Sequence, residues 1–529
     1  MYPDPEHTGD ARGTTATTPA VRACAPHRRV TDTASTPEIM TLPPTADLLV
    51  SGGDSRIVLD AQTGASVYGS RPAPDPALVA LGSCTASIIS TEGWQAADTL
   101  RRHLQDELSH QSADAVYAAH SARLRAQLLA ACGCAPADNV QAILAASGTD
   151  LFVLLSQWLR PECTVMIEPS ETGSGVSAAV SGHHFNDCSA AGTRQRPGER
   201  VGDWSGRVVA LSARAADGAL RTRAQIDAQC VAEVDAAAGA GQRVLLVLTD
   251  VSKTGLVIPS VDTALALQRR WRGKVEVLVD GCQFRLSAAT LRAYLAQDCL
   301  VALTGSKFMA GPTFCGALLV PPAYAARWRT QAVSEQSAAY SNSAEWPAGW
   351  PAAQHLGRSV NFGLLLRWQA ALAQLQAFAA LPQDRVRDVA IQFMDAVCAR
   401  IEQDPRFEAV AIDAPARGAL TQAGSWDTLP TIFPFLTRRR GDDGQLALLT
   451  REQTKRLYLQ LGQVDGAAPR YRLGQPVDCG QRDGQPVAAL RLCLSAPLLV
   501  AACGPAGMEP LLRDAMAALD RVAKLADRL

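Results

Sequence analysis

The stretch VEVLVDGCQFRLSAATLRAYLAQDCLVALTGSK, residues 275–307, contains two short apolar runs, each closed by a polar residue in a glycine-containing turn. Residues 275–279 and 300–303 are rich in valine and leucine, the composition of strands buried on both faces of a sheet. Asp280 ends the first run. Lys307 follows the second in Leu303-Thr304-Gly305-Ser306-Lys307. As neighbours in a parallel sheet, these strands would deliver a carboxylate and an amine to the same carboxyl edge, where open α/β sheets bind ligands.

Outward from this stretch, apolar runs alternate with helix-period segments. Strands are expected at 140–146, 164–167, 208–211, 244–248 and 315–320, and helices at about 94–110, 113–131, 151–159, 223–237 and 261–271. This alternation predicts an α/β fold, a large doubly wound and mostly parallel sheet covered on both faces. A polar loop is expected at 186–206, and His183-His184 is expected to begin a strand. A helix over 361–380 is expected to lead into a smaller α+β unit, with helices at 386–403, 451–461 and from 509, and strands at 431–436 and 489–494. The expected division is a leader over 1–45, a large domain over 46–350 and a small domain over 351–529.

At 529 residues the chain has room for a substantial core. It is 47% hydrophobic and 19% charged, a globular composition. Its net charge of −1 gives no bulk attraction for nucleic acid or an anionic membrane, and no apolar run is long enough to cross a bilayer. The first 45 residues are rich in Thr, Ala and Pro and lack the apolar region of a secretory signal. Most of the 14 cysteines, including Cys163, Cys230, Cys282, Cys299 and Cys493, fall in apolar stretches, as expected of reduced thiols in a cytoplasmic protein. Cys132 and Cys134 form the one close pair, with no further ligands nearby, so no metal is expected.

An amine and a carboxylate at adjacent strand ends match what pyridoxal 5′-phosphate (PLP) requires. A lysine forms a Schiff base with its aldehyde, and a carboxylate keeps its pyridine nitrogen protonated so that the ring can take up electrons. A third part is Ser147-Gly148-Thr149, which opens a helix after a strand. Free backbone N–H groups and the positive end of the helix dipole converge there, and a phosphate fits. Gly148 allows close approach, and the hydroxyls of Ser147 and Thr149 are candidate donors.

The ordered set Ser147-Gly148-Thr149, Asp280-Gly281-Cys282-Gln283 and Thr304-Gly305-Ser306-Lys307, with Gly311-Pro312 and Gly316 behind it, resembles the fold type I PLP-dependent enzymes. More narrowly it resembles the class V aminotransferase group, which includes cysteine desulfurases and kynureninases. The resemblance implies that Gln283 bonds the cofactor's phenolic oxygen or a neighbouring group and that Ser306 touches its phosphate. It places Ser252, in Asp250-Val251-Ser252-Lys253-Thr254-Gly255, in the turn that contacts the ring. Thr172, in Glu171-Thr172-Gly173-Ser174, stands where the family has a histidine stacked on the ring. Arg491 corresponds to the arginine that clamps a substrate carboxylate. A homodimer is likewise implied by resemblance.

Plainer readings stand beside these. Lys307 reads alternatively as a surface lysine, Asp280 as a strand-end cap, Ser147 and Thr149 as helix caps and Arg491 as one side of a structural ion pair. The leading function is an aminotransferase acting on the amine of an amino acid-like substrate, with a lyase or decarboxylase of the same fold as the alternative. Between 316 and 478 the sole cysteine is Cys398, in an expected helix, which disfavours a desulfurase with a loop cysteine. Gly173-Ser174-Gly175-Val176-Ser177-Ala178 leaves an NAD-type oxidoreductase open, and Thr172 leaves a catalytically silent relative open.

Overall fold

Seven strands form the main sheet of the computed structural model, which describes residues 40–441, 443–463 and 469–529. In spatial order they are Gln141–Ala145, Gly316–Val320, Leu300–Thr304, Val275–Gly281, Val244–Asp250, Cys163–Ile167 and Arg207–Leu211. Gly316–Val320 is antiparallel to both neighbours and the remaining pairings are parallel. A two-residue strand, Val257–Ile258, folds back antiparallel onto Val244–Asp250.

Side chains alternate across this sheet into two apolar layers. Leu245, Val247, Leu278, Leu300 and Ala302 face one layer, while Leu246, Leu248, Val277, Val279, Val301 and Leu303 face the other. Burial on both faces explains why the strands read as unbroken apolar runs. Helix Gly148–Leu159 fills the first layer. Helices Ala113–Ala131, Arg223–Gly239, Val261–Arg270 and Ala288–Ala296 pack in the second. Ala288–Ala296, the crossover between the Asp280 and Lys307 strands, was not expected. It buries Leu291, Tyr294 and Leu295 at one-turn spacing and is capped by Ser287, which accepts from the Thr290 amide.

A second, antiparallel sheet runs Phe407–Ala409, Ile432–Arg440, Gln485–Cys493, Gly474–Arg482, with helices Gln383–Gln403, Arg451–Leu461 and Glu509–Ala526 against it. The long helix expected to lead into this unit is Phe362–Ala379, and it lies against the main sheet instead. A Cβ at Gly305 would come 2.4 Å from the Cβ of its Ala371, so only glycine permits that approach. The same helix carries Arg367, fully buried, which donates to the carbonyls of Leu49, Ser51, Gly52 and Phe314 and so fastens the N-terminal arm. The leader expected over 1–45 lies outside the described residues up to residue 39. Residue 45 already opens a helix, Thr45–Leu49, because Leu48 and Leu49 bury against the core. His183-His184 begins no strand: His183 makes one isolated bridge with Arg200, and His184 instead bonds and stacks on Tyr340.

Candidate active site

The strands carrying Asp280 and Lys307 are adjacent, with Asp280 opposite Ala302 and Gly281 opposite Leu303. Their parallel direction brings the loops that follow to one edge. There the Thr304 hydroxyl donates to the Cys282 carbonyl at 2.6 Å, and the Phe308 amide donates to the Gln283 carbonyl at 3.3 Å. Asp280 is 5% exposed. One carboxylate oxygen accepts from the Cys282 amide at 3.1 Å and the other from the Thr172 hydroxyl at 3.4 Å. Lys307 is half-buried, and its ammonium has no hydrogen-bond or ion-pair partner among the described residues. Both charges act on the Cys282 thiol: burial pushes its pKa well up, Asp280 adds to the rise and Lys307 opposes it. A neutral, buried thiol in that position is packing rather than a nucleophile.

Ser147 caps helix Gly148–Leu159, accepting from the Asp150 amide at 3.2 Å and donating to the Asp150 carboxylate. Its hydroxyl is therefore spent within the turn, whereas it was expected to be open to a phosphate. Gly148 and Thr149 present the first amides of the helix, which have no protein acceptor among the described residues. A Cβ at Gly148 would sit 3.0 Å from both the Cys282 sulfur and the Thr304 methyl. A Cβ at Gly316 would meet the Ser147 carbonyl at 2.6 Å. The helix start, the Asp280 loop and the Lys307 strand thus touch one another directly. Ser306 is buried beside Lys307, and the carboxamide oxygen of Gln283 is buried without a partner.

Ser252 likewise turns inward, donating to Glu171 at 2.7 Å and accepting from the Leu256 amide. Glu171 also accepts from the Thr254 amide and hydroxyl, so it knits the loop after Cys163–Ile167 to the loop after Val244–Asp250. Arg491, 2% exposed, donates through Nε and Nη2 to the Gln475 carbonyl and through Nη1 to the Lys253 carbonyl. It has no carboxylate partner, so the reading of it as half of a protein ion pair does not hold among the described residues.

Sequence reasoning missed four groups here. Glu171 is the knot just described. Lys253 donates to the Pro169 carbonyl at 3.2 Å, and burial, with the charges of Arg491 and Lys307, pulls its pKa down to about 8. From the N-terminal arm, Asp54 pairs with Arg56, whose guanidinium lies 4.5 Å from the Phe314 ring centroid. Asp150, beside Ser147, has one oxygen without a partner; burial and the charge of Asp54 raise its pKa to about 7. The pairing of a buried aspartate with a capping serine is the only local signal that marks it.

Two other features lie apart from this edge. A cavity of about 800 Å³ opens beside Gln141, at the amino end of its strand, lined by Leu129, Arg329 and Trp350 among others. His103, Glu107 and His120 gather on helices Thr91–Glu107 and Ala113–Ala131, where the carboxylate bridges the two imidazoles at 3.1 and 2.7 Å and satisfies both without an ion. Gly173-Ser174-Gly175 leads into a helix of five residues, Val176–Val180, too short to present a strong N-terminal dipole.

No family model matches the sequence, and no curated protein matches it. Solved structures do. The cystine C–S lyase C-DES, determined with its reaction product cysteine persulfide, aligns over 82% of this chain and 97% of its own, with 16% identity and a TM-score of 0.51. A NifS-like protein from Rickettsia africae aligns over 85% of this chain and 99% of its own, with 10% identity and a TM-score of 0.51. The mostly parallel sheet with its flanking helices, and these alignments, agree with the fold expected from sequence: the chain shares the α/β fold of these solved structures, with a smaller sheet unit after it.

Proposed function

We propose that the chain is a PLP-dependent enzyme that works on the amine of an amino acid-like substrate, and that its reaction is transamination. The observation that carries this reading is an ammonium without a partner among the described residues, Lys307, set one strand away from a buried carboxylate, Asp280, at the carboxyl edge of the sheet.

The residues present fit the cofactor. Gly148 and Thr149 offer free amides at a helix start where a side chain at 148 would intrude, and the hydroxyls of Thr149 and Ser306 complete a phosphate site. Asp280 takes the pyridine N–H. Gln283 has an unpartnered carboxamide oxygen, which marks that side chain as a partner for a group the protein does not supply. Lys307 is the residue that would hold the cofactor covalently. When bound, PLP provides an electron sink for the charge left on the substrate's α carbon.

Around that sink the chain's own groups have simple tasks. Thr172 and the Cys282 amide hold the Asp280 carboxylate in place. The Lys307 amine, when free, would move a proton at the substrate's α carbon. Arg491 offers the remaining N–H groups of its fork to the substrate carboxylate. Thr172 and Ser252 would lie beside the ring on the loops they tie down. We include in this reading a cytoplasmic homodimer.

Lyase or decarboxylase chemistry is the second reading, favoured by the likeness to a C–S lyase. Cys398 lies on helix Gln383–Gln403, so the desulfurase variant lacks a loop thiol among the described residues between 316 and 478. The test is to load the purified, yellow protein with an amino acid and analyse the products. Transamination yields one oxo acid per amine passed to an acceptor. Release of ammonia, sulfide or carbon dioxide without an acceptor overturns it in favour of a lyase.

A further inference from the structure

Three cations converge at the carboxyl edge. Lys253 sits on the loop after Val244–Asp250, and its backbone is gripped from both sides: its amide donates to the Glu171 carbonyl at 2.8 Å and its carbonyl accepts from Arg491 at 2.9 Å. Its ammonium donates to one carbonyl, that of Pro169. Arg491 and Lys307 both lie near enough to oppose its charge.

The acids of the neighbourhood are already engaged. Glu171 is taken by Ser252 and Thr254, with Arg214 at 3.7 Å. Asp280 is held by the Cys282 amide and Thr172. Asp478 faces outward and pairs with Arg451 at 3.5 Å. Among the described residues, neither Lys253 nor Arg491 has a carboxylate partner. Half-buried charge of one sign without a counter-ion costs free energy, and a protein keeps it where a ligand supplies the missing anion. Lys307 loses its charge role once it bonds a cofactor. Two positive charges then remain, one a fork suited to a carboxylate and one an ammonium with two donors to spare.

We infer that Lys253 and Arg491 together select a substrate with two anionic groups, an amino acid whose side chain ends in a carboxylate or similar anion. Arg491 takes the α-carboxylate and Lys253 the side-chain anion. This rests on the proposed PLP reading of the same edge. Because the loop bearing Lys253 is fixed by Glu171, the cation is placed before the ligand arrives, and little ordering is required on binding.

Unreactive analogues test the inference without turnover. Calorimetry on the holoenzyme compares glutarate, a dianion, with valerate, a monoanion of equal chain length. The wild type is expected to bind glutarate about tenfold more tightly, the equivalent of ~1.4 kcal/mol. Lys253→Met should bring the ratio close to one while valerate binding is unchanged, and Lys253→Arg should restore the preference. Lys253→Gln, with its melting temperature measured alongside, serves should the methionine variant fail to fold. Equal binding of the two acids by wild type, a preference kept in both neutral variants, or equal weakening of both acids overturns the inference. Purified wild type with neither cofactor absorbance nor a cofactor adduct on Lys307 defeats the PLP reading instead.

Discussion

Lys307 lacks a partner among the described residues, so its removal tests chemistry with little cost to folding. Lys307→Ala is expected to lower turnover by at least about a thousandfold, with the unfolding free energy within about 0.5 kcal/mol of wild type, measured by product assay and urea titration. Asp280→Asn keeps the shape and loses the charge. It should retain cofactor while turnover falls by about a hundredfold or more. Of the two hydroxyls flanking Gly148, Thr149→Val should weaken cofactor retention on dialysis, whereas Ser147→Ala should cost about 1 kcal/mol of stability as a lost cap and leave retention nearly unchanged. Lys253 sets a pH dependence whose sign is fixed. Burial and Arg491 lower its amine, against Glu171 and Asp478, and Lys307 adds to the lowering only while it is uncombined, so glutarate affinity of the holoenzyme should be full at low pH and decline as pH rises through the amine's lowered pKa.

At this scale the sequence pointed to Asp280, Lys307 and Gly148 as candidates because each ends a buried run, follows one or opens a helix, which are local signals. Glu171 and Lys253 stayed hidden because their roles come from contacts with one another's loops, some 80 residues apart in sequence. The partners of the Ser147 and Ser252 hydroxyls stayed hidden for a related reason. A hydroxyl near a ligand edge looks like a ligand group until the geometry shows that a nearer acceptor has claimed it.

Among the elements, the contact between helix Phe362–Ala379 and the Thr304–Gly305 turn holds Lys307 at its height above the sheet. Gly305→Ala would drive a methyl group to 2.4 Å from Ala371. It is expected to cost about 1–3 kcal/mol and to lower cofactor occupancy, read by thermal denaturation and by absorbance per chain. The strands of the main sheet were legible because burial on both faces leaves continuous valine and leucine. The helix Ala288–Ala296 was not, since nine residues with alanine at four positions give little periodic contrast. Helix Phe362–Ala379 was found but assigned to the wrong neighbour, because its apolar residues ring it on nearly every side and periodicity alone does not choose which layer it joins.

Across the whole molecule, chain ends far apart in sequence are bound together. The arm strand Leu78–Ala80 pairs in parallel with Arg470–Arg472, and Arg367 ties four carbonyls, three of them from the arm. Arg367→Met would leave those carbonyls buried without their donor and is expected to destabilise by about 2–3 kcal/mol. The alternation of apolar runs with helix-period segments gave the class of the fold, and strand-end chemistry gave the edge proposed for the site. The bracing of the arm was not legible, since a lone arginine in an apolar helix gives no sign of which carbonyls it will meet. The central claim is a covalent one and has a direct measurement: borohydride reduction of the purified protein, followed by peptide mass mapping. The account predicts loss of the yellow absorbance and a reduced cofactor adduct on Lys307. A colourless protein, or an adduct on Lys253 or any other lysine in its place, would contradict it.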